Sequence, residues 1–205
     1  MLFIHFLTLC NGYDYVFFDM GPSLGAINRS ILLACDYFIT PMSSDVFSLL
    51  ALGNIGSSIS SWSKLFNKGI LELDEDKKCN LEGMRQRCEI KFLGYVEQQY
   101  IMKYTGGTAR AVRAYDEILK QIPEAIQKDV INQINIGENG EIDYKIGSIP
   151  NFYSLVPMSQ TAHKPIFELS ACDGVVGAHY QKVKAFESLM NTIADRMLNN
   201  MEALK

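Results

Sequence analysis

The run Tyr13 to Asp19, YDYVFFD, constrains this chain more than any other segment. It is aromatic and β-branched, lacks a clean polar alternation, and is bounded by Gly12 and by Gly21-Pro22. Such a run reads as a strand buried on both faces, and strands of that kind belong to parallel sheets covered by helices. It ends in a carboxylate. In open parallel sheets ligands bind beyond the carboxyl ends of strands, so Asp19 and the turn that follows are where chemistry is expected. Capping of that turn or of the next helix is the competing role for Asp19.

The rest of the chain alternates in the same rhythm. Ala26 to Ala34 has helical composition, and Asp36 to Pro41 (DYFITP) reads as a second short buried strand stopped by its proline. From Val46 to Phe66, Leu49, Leu52, Ile55, Ile59, Trp62 and Phe66 form a stripe of period 3.6, with Asp45 placed as the N-cap. Residues 67–89 are polar and mixed in charge, a surface insertion, and Ile90 to Val96 returns to strand composition. Residues 97–108 read as a loop. Ala109 to Lys128 reads as an amphipathic helix with Val112, Tyr115, Leu119, Ile122 and Ile126 on one face, kinked or restarted at Pro123. Asn139-Gly140 signals a hairpin, Lys145 to Pro150 a last strand, and Gly177 to Lys205 a closing helix lined by Val183, Phe186, Met190, Ile193 and Met197. The expected fold is α/β, a mostly parallel sheet with helices on both faces, in a single domain over residues 1–205.

Charge and cysteine usage narrow the function. Lys+Arg 19 against Asp+Glu 23 gives a net charge of −4, which does not advertise a binder of nucleic acid or anionic membrane. Residues 1–63 hold one basic residue, Arg29, against Asp14, Asp19, Asp36 and Asp45, as a buried sheet would. Five cysteines without a C-x-x-C spacing read as reduced thiols of a cytoplasmic protein. Met1 to Cys10 is apolar, yet lacks a basic flank and a cleavage site and is too short to span a bilayer. His5, His163 and His179 share no ligand spacing, so packing or surface hydrogen bonding is their expected role. Gly21, Ser23 and Gly25 match G-x-S-x-G, which makes an α/β hydrolase using Ser23 a rival reading, although Pro22 is unusual in that strained turn. Lys64, Lys68, Lys77, Lys78, Arg85, Arg87 and Lys91, with Arg110 and Arg113 one helical turn apart, are where DNA phosphates would be gripped. The acids interleaved with the first group favour a solvated arm instead.

The stretch from Tyr13 to Ile55 resembles the central part of the ParA/Soj/MinD family of deviant-Walker ATPases. There a Tyr-Asp-Tyr strand ends in Asp-x-Pro-Pro-Ser and is followed by a helix, an Ala-Asp-Tyr strand ending in proline, and another helix. FLGYV, IGSIPNFYSL and Lys164-Pro-Ile-Phe-Glu168 resemble later segments of the family. The resemblance implies a P-loop NTPase-like fold, ATP and Mg²⁺ as ligands, a homodimer, a partition-type partner protein, and work in plasmid or chromosome partitioning; the terminal helix lacks the basic cluster of a membrane-targeting helix, so no membrane attachment is expected. It assigns to Asp19 the acid that contacts Mg²⁺ through water. To Gly21 and Pro22 it assigns the switch turn, with glycine replacing the first proline, and to Pro150 and Asn151 the loop beside the adenine.

One departure changes what to expect. The family's Lys-Gly-Gly-x-Gly-Lys-Thr/Ser phosphate loop does not occur in the sequence, where the sole Gly-Gly, Gly106-Gly107, is followed by Thr-Ala-Arg. A glycine-rich loop supplies the N–H cradle for phosphates, and its lysines offset their charge. The chain therefore resembles the carboxyl-terminal two-thirds of such an ATPase, truncated at its amino end and not expected to bind ATP tightly or to hydrolyse it by itself. The alternative is a non-catalytic binding or regulatory remnant of that fold that acts through a partner.

Overall fold

The computed structural model describes residues 12–21, 23–74, 76–77, 87–100, 102–105, 108–111, 117–135 and 142–205. In chain order the elements are α1 (Ala26–Ala34), β1 (Tyr37–Ser43), α2 (Val46–Leu71), β2 (Lys91–Tyr100), β3 (Met102–Thr105) and β4 (Thr108–Ala111). They continue with α3 (Ile122–Ile126), a π-helical turn (Gln127–Ile131), α4 (Asn132–Ile134), β5 (Lys145–Pro150), α5 (Leu155–Ala162), two 3₁₀ turns, and α6 (His179–Ala203). A three-stranded sheet has the order β1-β2-β5, with β2 and β5 parallel, and helices accompany it, so the fold is α/β. β3 and β4 form a separate antiparallel pair.

The chain divides into two compact units. The first comprises Met1–Phe38, Leu50–Phe92 and Glu124–Glu138. Its core is Leu32, Ile59, Cys88 and Ile90, with Met20, Phe38, Ile55, Trp62 and Phe66 packed around them. Side-chain amides complete the backbone bonding here. Asn67 accepts from the Cys88 N–H at 2.7 Å and donates to its carbonyl at 3.1 Å, and Asn135 treats Phe92 the same way at 2.8 and 3.0 Å. A β-carbon on Gly56 would collide with the Asp129 carbonyl, so only glycine lets α2 come this close to the π-helical turn.

The second unit comprises Ile39–Leu49, Leu93–Pro123 and Asn139–Lys205. Its core gathers Phe152, Leu155, Ile166, Leu169, Val175 and Val183, and the Phe152 and Phe186 rings meet edge to face with centroids 4.9 Å apart. Along α6 the expected stripe is turned inward, with Val183 and Ile193 buried, and Ile193 lies against Gly147 of β5. Asn200 extends the same helix face with a buried amide that donates to Leu93 O and Asp143 O, both at 2.9 Å. Between Tyr95/Lys145 and Val96/Gly147 the register slips by a residue, a bulge. Buried Glu97 then accepts from Lys145 Nζ at 2.8 Å and from Ser148 Oγ at 2.7 Å.

Several expectations are met. α1 and β5 have the predicted limits, Asp45 caps α2 by accepting the Ser48 N–H at 2.8 Å, and α2 buries Leu52 and Ile59 from its stripe. A helical turn at 117–119 breaks at Lys120-Gln121 and restarts at Ile122, next to Pro123, where a missing N–H costs nothing.

Others are corrected. Tyr13 to Asp19 forms no strand, and Tyr13, Tyr15, Val16 and Phe17 are exposed. A strand needs ladder partners, and none pairs with this run among the described residues. β1 does not stop at Pro41 but runs through it to Ser43, which an edge strand permits because an outward N–H can be dispensed with. Residues 97–108 are not a loop: β2 continues to Tyr100, and Met102 to Ala111 is a hairpin in which Thr105 pairs with Thr108. Arg110 thus lies on β4 and not on a helix. The helix proposed from Ala109 loses its start to β4, and Val112, Arg113 and Tyr115 lie outside the described residues. The hairpin around Asn139-Gly140 fails on its first arm. Residues 127–134 are helical, and β5 pairs in parallel with β2; Asn139-Gly140 itself lies outside the described residues. The polar insertion loses residues 67–71 to α2. A short helix at Leu155–Ala162, not anticipated, follows β5.

Candidate functional site

Asp19 stands at the end of the Tyr13-to-Asp19 run and is exposed. Two residues on, the chain turns into α1, whose N-cap Gly25 is extended and offers no side-chain cap. The turn is instead held by Asn28, whose Nδ2 donates to Gly21 O at 2.9 Å and to Ser23 O at 2.7 Å. A β-carbon on Gly21 would meet nothing within 4 Å. Pro22 lies outside the described residues.

Pro150 ends β5, and Asn151 folds over the following backbone, its Oδ1 accepting the Tyr153 N–H at 2.7 Å. Tyr153 has φ +47, the left-handed region that residues other than glycine seldom adopt. Lys182 of α6 places its Nζ 5.9 Å from the centroid of the Tyr153 ring. Ser154 Oγ lies 3.3 Å from His179 Nε2, while His179 Nδ1 is buried without a partner among the described residues. Asp19 and Gly21 belong to the first unit, Pro150 and Asn151 to the second.

The sequence did not reveal Ser154 with His179, because 25 residues separate them. Nor did it reveal Asn28. Its one available signal was a poor helix former in the first turn after a glycine-rich loop. For Ser23, the group at its Oγ is the Asn28 amide at 3.4 Å, not the imidazole that a hydrolase nucleophile needs. The serine that does meet an imidazole, Ser154, has no acceptor behind Nδ1 to set the tautomer.

Two ionisable groups are displaced from their usual range. Burial, with Glu97 and then Asp143 adding negative charge, pushes the Tyr95 hydroxyl up to about 12. The Lys164 ammonium, with help from Ser170, holds Asp173 below the ordinary carboxylate range. Neither belongs to the candidate residues. Among the described residues no three His, Cys, Asp or Glu side chains are grouped to hold a metal ion. Asp19 suits the looser role of one carboxylate facing a hydrated Mg²⁺, which keeps several of its waters. No described helix is long and apolar enough to cross a membrane.

Residues 2–72 match a family described as an AAA domain. No curated protein matches the chain. Among solved structures, the chain is similar to a crystal structure of a protein from Corynebacterium diphtheriae, at 20% identity and a TM-score of 0.60. That similarity covers 97% of this chain and 53% of the other, so the chain spans about half the length of its structural relative. At this identity the likeness shows the fold alone, an α/β architecture.

Proposed function

We propose that this chain is part of a ParA-type ATPase, a nucleotide- and Mg²⁺-dependent dimer of the kind that partitions or positions DNA cargo with a partner protein. What supports it above all is that the AAA-domain match over residues 2–72 contains Asp19 and the turn behind it. In this reading the Asp19 carboxylate orients water on Mg²⁺, and the Gly21-to-Ser23 turn faces the terminal phosphate. ATP and Mg²⁺, when bound, supply the labile anhydride and the charge that offsets it. The described residues hold no phosphate cradle, and the sequence has no Walker lysine for one, so affinity by this chain alone is expected in the millimolar range, ~4 kcal/mol.

Titration of the chain with Mg·ATP, followed by amide resonances, tests this. Weak saturable binding that Asp19→Asn abolishes is the expected result. Micromolar affinity would refute the missing cradle, and no binding at tens of millimolar would refute the nucleotide reading. The exposure of Tyr13, Tyr15 and Phe17 favours a second reading, a remnant completed by a partner that supplies a neighbouring strand. In that case hydrogen exchange across residues 13–18 slows on complex formation.

A further inference from the structure

The Tyr13-to-Asp19 run is anchored at one end only. Phe18 and Met20 are half-buried, with Met20 on the core of the first unit, whereas Phe17 is 74% exposed and Tyr13, Tyr15, Val16 and Asp19 are exposed too. Among the described residues no hydrogen bond joins residues 13–19 to the rest of the molecule. An aromatic run with open backbone groups is a template for another strand. Its charge narrows which strand fits. Residues 12–28 hold Asp14 and Asp19 and no basic residue. A second copy of the run laid parallel and in register would set Asp14 against Asp14 and Asp19 against Asp19, and like charges directly opposite destabilise a pair. Laid antiparallel about a two-fold axis through Val16, it meets no such conflict. Tyr15 then faces Phe17 of the second copy, twice over by symmetry, and Val16 faces its own equivalent. Asp14 faces Phe18, and Tyr13 faces Asp19, a phenolic donor opposite a carboxylate acceptor. A slip of one residue towards the carboxyl end sets Asp14 against Asp19 and loses the match.

We infer that two copies of this chain pair through residues 13–19 as antiparallel strands about a two-fold axis through Val16. This rests on the reading in which a partner supplies the strand that the run lacks, and it names that partner as a second copy. The interface is isologous, one patch serving both copies, and it needs no nucleotide, which separates it from a nucleotide-dependent dimer. Cross-strand aromatic pairs and the backbone ladder hold it together. A single strand pair is smaller than the roughly 1,200 Å² at which stable interfaces begin, so the association is weak, with a Kd on the order of 0.1–1 mM. The dilute chain keeps Phe17 exposed.

Sedimentation equilibrium of the full chain without nucleotide, from ~10 µM to ~1 mM, reads the association. The wild-type chain passes from monomer to dimer over that range and stops there. Amide exchange slows at every second residue of 13–19, because one edge of a strand bonds alternate residues. Val16→Lys and Val16→Asp each set like charges face to face on the axis, and each weakens association about tenfold. An equal mixture of the two variants sets opposite charges there and recovers association to within about threefold of the wild type, which also shows that both variants are folded. A wild-type chain that stays monomeric at ~1 mM would overturn the inference, as would growth beyond the dimer. Variants that associate like the wild type, or a mixture no better than its components, would overturn it too. The partner reading is judged separately, on exchange in the dilute chain. Rapid exchange across residues 13–18 leaves the run open to another partner and sustains that reading, whereas protection already present in the monomer would overturn both.

Discussion

Two runs of nearly the same composition meet opposite fates. Phe92, Leu93, Tyr95 and Val96 are at most 8% exposed, whereas Tyr13, Tyr15 and Phe17 are 53–74% exposed. Hydrophobicity does not separate them; hydrogen-bonding neighbours do. β2 lies between β1 and β5 in the sheet, and the Asn135 and Asn200 amides take up further backbone groups at Phe92 and Leu93. An apolar run can be buried only if its N–H and C=O groups are paired, since each unpaired group costs on the order of 1–3 kcal/mol. The largest effect expected from this contrast is therefore between two phenylalanines. Phe92→Ala should destabilise by about 3–5 kcal/mol, through lost burial and a cavity. Phe17→Ala should change stability by less than about 0.5 kcal/mol. Urea unfolding of both variants checks the pair, and a large loss in Phe17→Ala would show that the run is buried in solution.

The buried run also carries a titratable group. Tyr95 ionises in the folded state only at about 12, against 10.0 for an unperturbed tyrosine, because the phenolate would be desolvated and would face Glu97 and Asp143. A raised folded value means that the stability contribution is complete below pH 10. It falls as the pH rises from 10 towards 12, because the unfolded chain releases the proton first. The loss is on the order of 2 kcal/mol. Tyr95→Phe should flatten the alkaline limb of stability against pH over that window. An unchanged limb would mean that other groups set it.

Local signals explain which parts could be read in advance. The Asp45 cap, the stripe of α2, the limits of α1 and β5 and the inward face of α6 each depend on residues within one or two turns of one another. The strand at 13–19 failed because strand formation is decided by a neighbour elsewhere in the chain, and composition cannot announce whether it is there. Asn139-Gly140 misled for the opposite reason. A strong turn signal does not make the residues before it a strand, and 127–134 are helical. The clamps were invisible as well, because asparagine is an ordinary turn residue. Nothing local says that Asn135 will meet Phe92, 43 residues away, or Asn200 Leu93, 107 residues away. At the candidate site the motif singles out Asp19 and Gly21, while the Asn28 hydrogen bonds to Gly21 and Ser23 needed the structure.

A small gain, instead of a loss, is expected in the turn that follows the exposed run, where two glycines contrast. Gly94 has φ +147, and a β-carbon there would approach the Tyr144 carbonyl to 2.5 Å, so alanine is excluded both by conformation and by contact. Gly21 has no such constraint: its φ is outside the left-handed region, and a β-carbon meets nothing within 4 Å. Alanine at Gly21 narrows the unfolded ensemble without straining the folded one, a gain of about 0.4–1 kcal/mol. The carbonyl that Asn28 holds is unchanged, so that hydrogen bond should survive. Thermal unfolding of Gly21→Ala therefore reports on crowding around the turn. A gain fits an open loop beside Asp19, whereas a loss would mean that some part of the molecule packs against Gly21, and the accessibility assumed for a phosphate there would fail with it.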